Sequence, residues 1–134
     1  MYLLDTNICI YVMKDSFPTL TKRLLSTDPS DVAISAVTIY ELEYGAAKSR
    51  WGERTRDKLY AFLSPFSIIP FDAYDAAAAG YIRWLLAQHG SPIGPYDIQI
   101  AAQAFARDMT VVTHNTREFE RIPNLKVEDW ISLS

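Results

Sequence analysis

Residues 2–13, Tyr2-Leu3-Leu4-Asp5-Thr6-Asn7-Ile8-Cys9-Ile10-Tyr11-Val12-Met13, decide the fold. Tyr2–Leu4 reads as a short apolar strand, Asp5 interrupts it, and the chain from about Thr6 to Met13 reads as a helix. Strand-like and helix-like runs alternate through the rest of the sequence, which argues for an α/β fold with a mainly parallel sheet. A second helix is expected over Phe17–Ser26 and a second strand over Val32–Ile34. Thr38–Lys48 and Glu53–Leu63 read as an antiparallel helix pair joined around Arg50-Trp51-Gly52. Ser67–Ile69 is a third strand, ended by Pro70, and Tyr74–Gln88 is helical despite Gly80, stopping at His89-Gly90. Asp97–Arg107 is apolar at 98, 101, 102 and 105, the stripe of a packed helix. Thr110–Val112 reads as a buried strand, and the tail around Val127–Ile131 adds an edge strand. No repeat, low-complexity run or linker divides the chain, so residues 1–134 read as a single domain.

Composition narrows the function classes. The 134 residues are 49% hydrophobic and 22% charged, as in an ordinary soluble globular protein with a sizeable core. No apolar run approaches the roughly 20 residues of a membrane helix. The start carries no basic leader and reaches a charge at Asp5, unlike a signal peptide. The lone Cys9 excludes an internal disulfide framework and fits a reducing cytoplasm. A formal charge of −3 argues against a generic polyanion binder. Neutralising Asp5, Glu41, Asp97 and Glu118 would leave the remainder near about +1, compatible with an RNA substrate.

Those acids carry the candidate chemistry. Asp5 follows the first strand, Glu41 follows Ser35-Ala36-Val37, Asp97 follows Gly94-Pro95-Tyr96, and Asn115 and Glu118 follow Val111-Val112-Thr113. In an open α/β sheet the carboxyl ends of the strands share one crevice, where ligands bind. Carboxylates gathered there suit a hard divalent cation. Each position also has a plainer reading. Asp5 and Asp97 stand where N-caps occur, Thr38-Ile39-Tyr40-Glu41 reads as a capping box, and Thr113–Phe119 serves as a turn. A cap and a ligand are compatible, because one carboxylate oxygen can accept an amide while the other faces a metal. Beyond Glu41, the helical neighbours Gly45 and Lys48 give a small and then basic face that suits a phosphate.

At these residues the chain resembles the PIN-domain ribonucleases, and within them the VapC toxins of bacterial toxin–antitoxin pairs. The resemblance is carried by Leu4-Asp5-Thr6-Asn7, by Ser35–Leu42 with Tyr44-Gly45, and by Pro92-Ile93-Gly94-Pro95-Tyr96-Asp97 with Ile100-Ala101. It continues through Val112–Phe119 and the tail Ile122-Pro123-Asn124-Leu125 with Glu128-Asp129-Trp130. It covers about residues 2–131 and implies a PIN-domain-like three-layer α/β/α architecture.

The resemblance implies that Asp5, Glu41 and Asp97 match the acids that hold magnesium or manganese, with Asp5 and Asp97 as the principal ligands. The fourth family position falls on Asn115, with Glu118 as an additional acid; which of the two completes the site stays open. Thr6 and Thr113 match hydroxyls that order the acids. Asn115, an amide, lowers the negative charge and bears on occupancy by a second metal. His114 stands where many relatives have Asn and reads as a surface histidine. The implied activity is metal-dependent endonucleolytic cleavage of RNA, with transfer RNA the usual target class. Lys48, Arg50, Arg54 and Arg117 are candidates for holding it. Since packed carboxylates repel, at least one should bind its proton more tightly when no metal is present. The implied partners are a second copy of the chain and a VapB-type antitoxin, through which alone operator DNA would be contacted. Tyr40, Tyr44, Trp51, Tyr60, Phe62 and Trp84 are expected mostly in the core, with a groove between the paired helices, near Tyr60 and Phe62, for an antitoxin helix.

Other readings are weaker. A covalent phosphohydrolase using Asp5 would need an acid two residues on, where Asn7 stands. A receiver domain would need a lysine after the last strands, where Thr113-His114 offers none. A PIN scaffold that binds RNA or protein without cutting remains as the alternative.

Overall fold

The computed structural model describes residues 1–132. Five strands, β1 (Tyr2–Leu4), β2 (Val32–Ser35), β3 (Ser67–Ile69), β4 (Thr110–Val112) and β5 (Lys126–Glu128), form one sheet in the order β3-β2-β1-β4-β5. Every pairing is parallel, with Leu3 opposite Ala33 and Val111, and Leu4 opposite Ile34 and Val112. The helices among the described residues are α1 (Thr6–Met13), α2 (Pro18–Leu25), α3 (Ala36–Lys48), α4 (Gly52–Leu63), α5 (Ala73–Gln88), α6 (Pro95–Ala106) and the single turn α7 (Thr116–Phe119).

Strand periodicity builds the layers. Successive side chains point to opposite faces, so Leu3, Ala33 and Val111 pack against Ile82 and Leu86 of α5 and Ile98 and Ala101 of α6. Leu4, Ile34 and Val112 face the other way, onto Ile8 of α1, Leu20 of α2 and Leu59 and Leu63 of α4. Covered on both faces, the inner strands are continuously apolar, as parallel strands must be. Each fully buried Leu or Ile contributes about 1.5–3 kcal/mol of transfer free energy. The expected α/β/α arrangement is therefore present. From β1 the chain builds outward through β2 to β3, then crosses back to lay β4 and β5 on the opposite side of β1. The order reverses between β1 and β4, and the carboxyl ends of those strands open the crevice in which α/β proteins bind ligands.

The first four strands lie where the sequence placed them, whereas the last strand and the helix starts need correction. α3 begins at Ala36, because Ser35 at the end of β2 already caps it, accepting from the Val37 amide at 3.0 Å. Thr38 is thereby inside the first turn, and the Thr38–Glu41 capping box does not form. α6 begins at Pro95, whose fixed φ suits a first helical position, so Asp97 is the third residue of the helix and not its cap. The last strand closes at Glu128, before the expected 127–131 span ends. There Asp129 accepts from the amides of Ile131 and Ser132 and turns the chain. Trp130 then packs edge-on against Tyr2, with centroids 5.0 Å apart.

The aromatic residues depart most from expectation. Tyr40, Tyr44, Trp51, Tyr60 and Trp84 are exposed, and only Phe62 is half-buried. The cores are mainly aliphatic, with Phe119 and Trp130 as the fully buried rings among the described residues, and α6 contributes Ala101, Ala102 and Ala104. A groove of about 620 Å³ does lie beside α3 and α4, with α1 as its third wall, lined by Ile10, Met13, Leu42, Gly45, Ala46 and Leu59 among others. Tyr60 and Phe62 are not its walls. Tyr60 donates to Glu43 at 2.9 Å, and Phe62 faces Phe66. Among the described residues no helix is long and apolar enough to cross a membrane.

Candidate active site

Asp5 leaves β1 at the switch point and starts α1. Its backbone is extended, and one carboxylate oxygen accepts from the Ile8 amide at 2.8 Å, so the capping role is real. The side chain is only 5% exposed. Burial pushes its pKa up to about 6, against the help of Thr113 and the Ile8 amide, and the negative charge of Glu41 adds to the rise. Thr113, directly after β4, is fully buried. Its hydroxyl bonds to Asp5 and accepts from the Asn115 amide at 3.0 Å, which ties the two central strand ends together.

Glu41 reaches the crevice from α3. The Thr6 hydroxyl donates to its Oε1 at 2.7 Å and lies 3.0 Å from the Thr38 hydroxyl. Since Thr6 has one proton and gives it to Glu41, Thr38 is the donor to Thr6. Thr38 is a functional neighbour that sequence reading assigned to capping. Its signal was a hydroxyl three residues before the acid, which fits either role. With no backbone amide on its carboxylate, Glu41 is left to the site.

Asp97 stands in the first turn of α6. Burial raises its pKa to about 7, and the charges of Glu118, Asp5 and Glu41 add to that, together with a hydrogen bond to Glu118. The expected tighter proton binding is thus present on Asp5 and Asp97, but burial outweighs repulsion as its cause. Glu118 accepts from the Gly94 amide at 3.0 Å and from the Asn115 side-chain amide. Both its oxygens are engaged, whereas the Asn115 side-chain Oδ1 is left without a protein partner among the described residues. The Gly94 contact was missed in the sequence, because a backbone donor has no residue-type signature. His114 is exposed, with Nδ1 3.0 Å from Asp129 Oδ2 and its ring beside Phe17. Arg117 is exposed on α7, whereas Lys48, Arg50 and Arg54 gather at the far end of α3.

Asp5, Glu41, Asp97 and Glu118 therefore influence one another electrostatically in a single crevice. No basic side chain among the described residues forms an ion pair with any of them. This donor set of carboxylates and an amide carbonyl suits a hard cation such as magnesium or manganese. No three His, Cys, Asp or Glu side chains among the described residues are close enough to form a ligand set on their own. Magnesium commonly keeps several waters and takes only one or two carboxylates from a protein. Asp5 and Asp97, with raised proton affinity and no counter-charge, are the two that fit that place.

The chain matches the PIN domain family over residues 2–125. It is 42% identical over 129 residues to the tRNA(fMet)-specific endonuclease VapC of Shigella flexneri, covering 96% of this chain and 97% of that protein. It is 41% identical over 131 residues to ribonuclease VapC2 of Rickettsia felis, covering 97% and 98%. Among solved structures it is similar to the DNA-bound VapBC of Salmonella typhimurium, at 41% identity and a TM-score of 0.91 over 96% of this chain and 97% of that one.

Proposed function

This chain belongs to the PIN-domain family, among its VapC ribonucleases, and from that premise we propose that it is a divalent-metal-dependent endoribonuclease acting as a toxin in the cytoplasm. The single PIN unit spans residues 1–134, and magnesium is the working ion, with manganese able to replace it. The observation that supports this reading is the pair Asp5 and Asp97. They are carboxylates buried to differing degrees, with pKa values raised to about 6 and about 7, beside other acids and without a cation. Burying charge without neutralisation is costly, and a bound divalent ion relieves it.

In this mechanism Asp5 and Asp97 would hold the ion. A bound ion lowers the pKa of its water and offsets charge on the phosphate. Glu41, fixed by Thr6 and Thr38, orients the attacking water and accepts its proton. Thr113 keeps Asp5 turned into the crevice. Glu118 positions Asp97, and the Asn115 carbonyl completes the oxygen set, so the two residues divide the work that the sequence left open. The substrate is RNA, cut at an unpaired stretch where bases can be splayed. Transfer RNA is favoured, because the Shigella flexneri relative is named for tRNA(fMet).

A VapB-type antitoxin restrains the enzyme by seating a helix in the groove between α1, α3 and α4, one edge of which is Glu41. Operator DNA is reached only through that antitoxin. The protein works as a homodimer, with the exposed Tyr81 and Trp84 on α5 as the pairing face. The deciding experiment incubates total cellular RNA with wild-type and Asp97→Ala protein in magnesium, manganese or EDTA. A discrete RNA should be cut by wild type alone, and only with metal. Sustained cutting in excess EDTA sinks the metal mechanism; a folded, metal-binding wild type that cuts nothing points to a silent scaffold.

A further inference from the structure

One face of α3 carries exposed rings and cations outward from the acid crevice. Tyr40, Tyr44 and Lys48 recur at i, i+4 and i+8, so they stand in one row along about 12 Å of helix. Tyr40 is 61% exposed and Tyr44 64%, and beyond them at the turn into α4 Trp51 is 59% exposed. The row begins at the site, because Tyr40 precedes Glu41 and its ring meets that of Tyr96, which precedes Asp97, at 5.5 Å with hydroxyls 3.3 Å apart. It ends in cations stacked on rings. Lys48 Nζ lies 4.9 Å from the Tyr44 centroid, and the Arg50 and Arg54 guanidinium carbons lie 5.2 and 5.6 Å from that of Trp51.

The cations of this row stand together beside exposed rings. Arg23, Arg56 and Arg107 are each paired with a carboxylate. Among the described residues Lys48, Arg50 and Arg54 form no such pair, although Glu53 and Asp57 share the tip with Arg50 and Arg54. A chain of net charge −3 thus gathers three cations outside any close ion pair next to exposed rings. Rings that accept stacked bases, interleaved with cations that meet phosphates, are how proteins hold single-stranded nucleic acid.

We propose that this row is the substrate track of the nuclease, seating the unpaired RNA on one side of the scissile phosphate. The base nearest the cut stacks on the Tyr40–Tyr96 pair, a farther base stacks on Trp51, and Lys48, Arg50 and Arg54 contact the phosphates between and beyond them. This rests on the nuclease reading above, and it assigns the aromatic face of α3 to RNA and not to a protein partner.

The test reads binding and cutting separately. Fluorescence anisotropy in EDTA follows a short RNA hairpin with an unpaired loop, and the same stem without a loop, against the full chain. Trp51→Ala and Tyr40→Ala should each weaken loop binding about 5- to 100-fold, and Trp51→Phe should restore it. The triple change Lys48→Ala, Arg50→Ala, Arg54→Ala should flatten the salt dependence of log Kd by about 2. All these side chains are exposed, and an unchanged thermal melt verifies the fold. If wild type cuts RNA in magnesium while the variants bind and cut as wild type does, the track is wrong and the nuclease reading stands. If the variants keep RNA binding but lose a co-expressed partner protein or the dimer, the face is a protein interface and the proposal falls. Wild type that neither binds nor cuts RNA overturns both.

Discussion

Asp75 and Asp5 are both buried aspartates in the first turn or at the cap of a helix, yet the protein treats them in opposite ways. Asp75 on α5 is fully buried, and burial pushes its pKa up. Arg107, the Asp72 amide and Gln103 outweigh that and hold its carboxyl below the ordinary range. Asp75 also forms a reciprocal capping box with Asp72, and Gln103 also donates to the Pro70 carbonyl at 3.0 Å. The charge is neutralised inside the protein, and the cluster fastens α5 to the end of α6. In the acid crevice the balance is reversed, because no ion pair forms there among the described residues and Asp5 and Asp97 bind their protons more tightly. A buried carboxylate with an internal partner is structural, and one whose neutralising charge is missing marks a place for a ligand.

The largest expected effect breaks the structural side. Asp75→Ala takes from Arg107 and Gln103 their shared acceptor, leaving them only Asp72 and the Pro70 carbonyl, and removes half of a capping box, so stability should fall by about 2–3 kcal/mol in urea denaturation. RNA cleavage per folded molecule should stay near wild type. If cleavage collapsed while the protein remained folded, the division between the two clusters would be wrong.

The next prediction inverts the sign. A carboxyl whose folded pKa is raised to about 7 from 3.8 imposes no penalty well below pH 3.8, where both states hold the proton, and only a small one at pH 4. Between about pH 4 and 7 the unfolded chain ionises first, so the metal-free protein loses stability as pH rises, and Asp5 adds to the loss up to about pH 6. Asp97→Asn should therefore stabilise the metal-free protein at pH 8 by about 1–2 kcal/mol, discounted because Asp97 is only partly buried. At pH 4 it should change little, and cleavage should be lost. Thermal melts in EDTA across pH test this, and a variant less stable than wild type at pH 8 would contradict it. The smallest effect concerns the support of Glu41. Thr6→Val removes its hydrogen-bond donor while keeping shape, and kcat should drop about tenfold. Magnesium affinity, read by calorimetry, should stay nearly unchanged, since Thr6 touches Glu41 and not the two principal ligands. A lost affinity with kcat intact would reverse the roles of Glu41 and Asp5.

The strand positions were legible because three-residue apolar runs such as Tyr2–Leu4 and Thr110–Val112, set between turn and helix signals, have few other uses. Helix starts were less so. Ser35 and Thr38 are equally good caps by residue type, and only the direct passage of β2 into α3 selects Ser35. The site residues were visible as acids following apolar runs, but hydrogen bonding settled what each one touches. Thr38 and the Gly94 amide entered the site through space, since their partners Thr6 and Glu118 lie 32 and 24 residues away. The aromatic residues were misplaced for a related reason. Hydrophobicity says that a ring gains from burial, but which rings find room depends on the spacing of layers.

By itself, the sequence determined the α/β class, the parallel strands and the acids that could meet, because periodicity and residue chemistry are local properties of the chain. The tertiary structure alone decided that β4 returns beside β1 and creates the crevice, and that Asp75 meets Arg107 while Asp5 and Asp97 form no ion pair among the described residues. It also decided that the rings of α3 face water. Electrostatic environment and exposure depend on which distant residues share a volume, and that is fixed only when the layers pack.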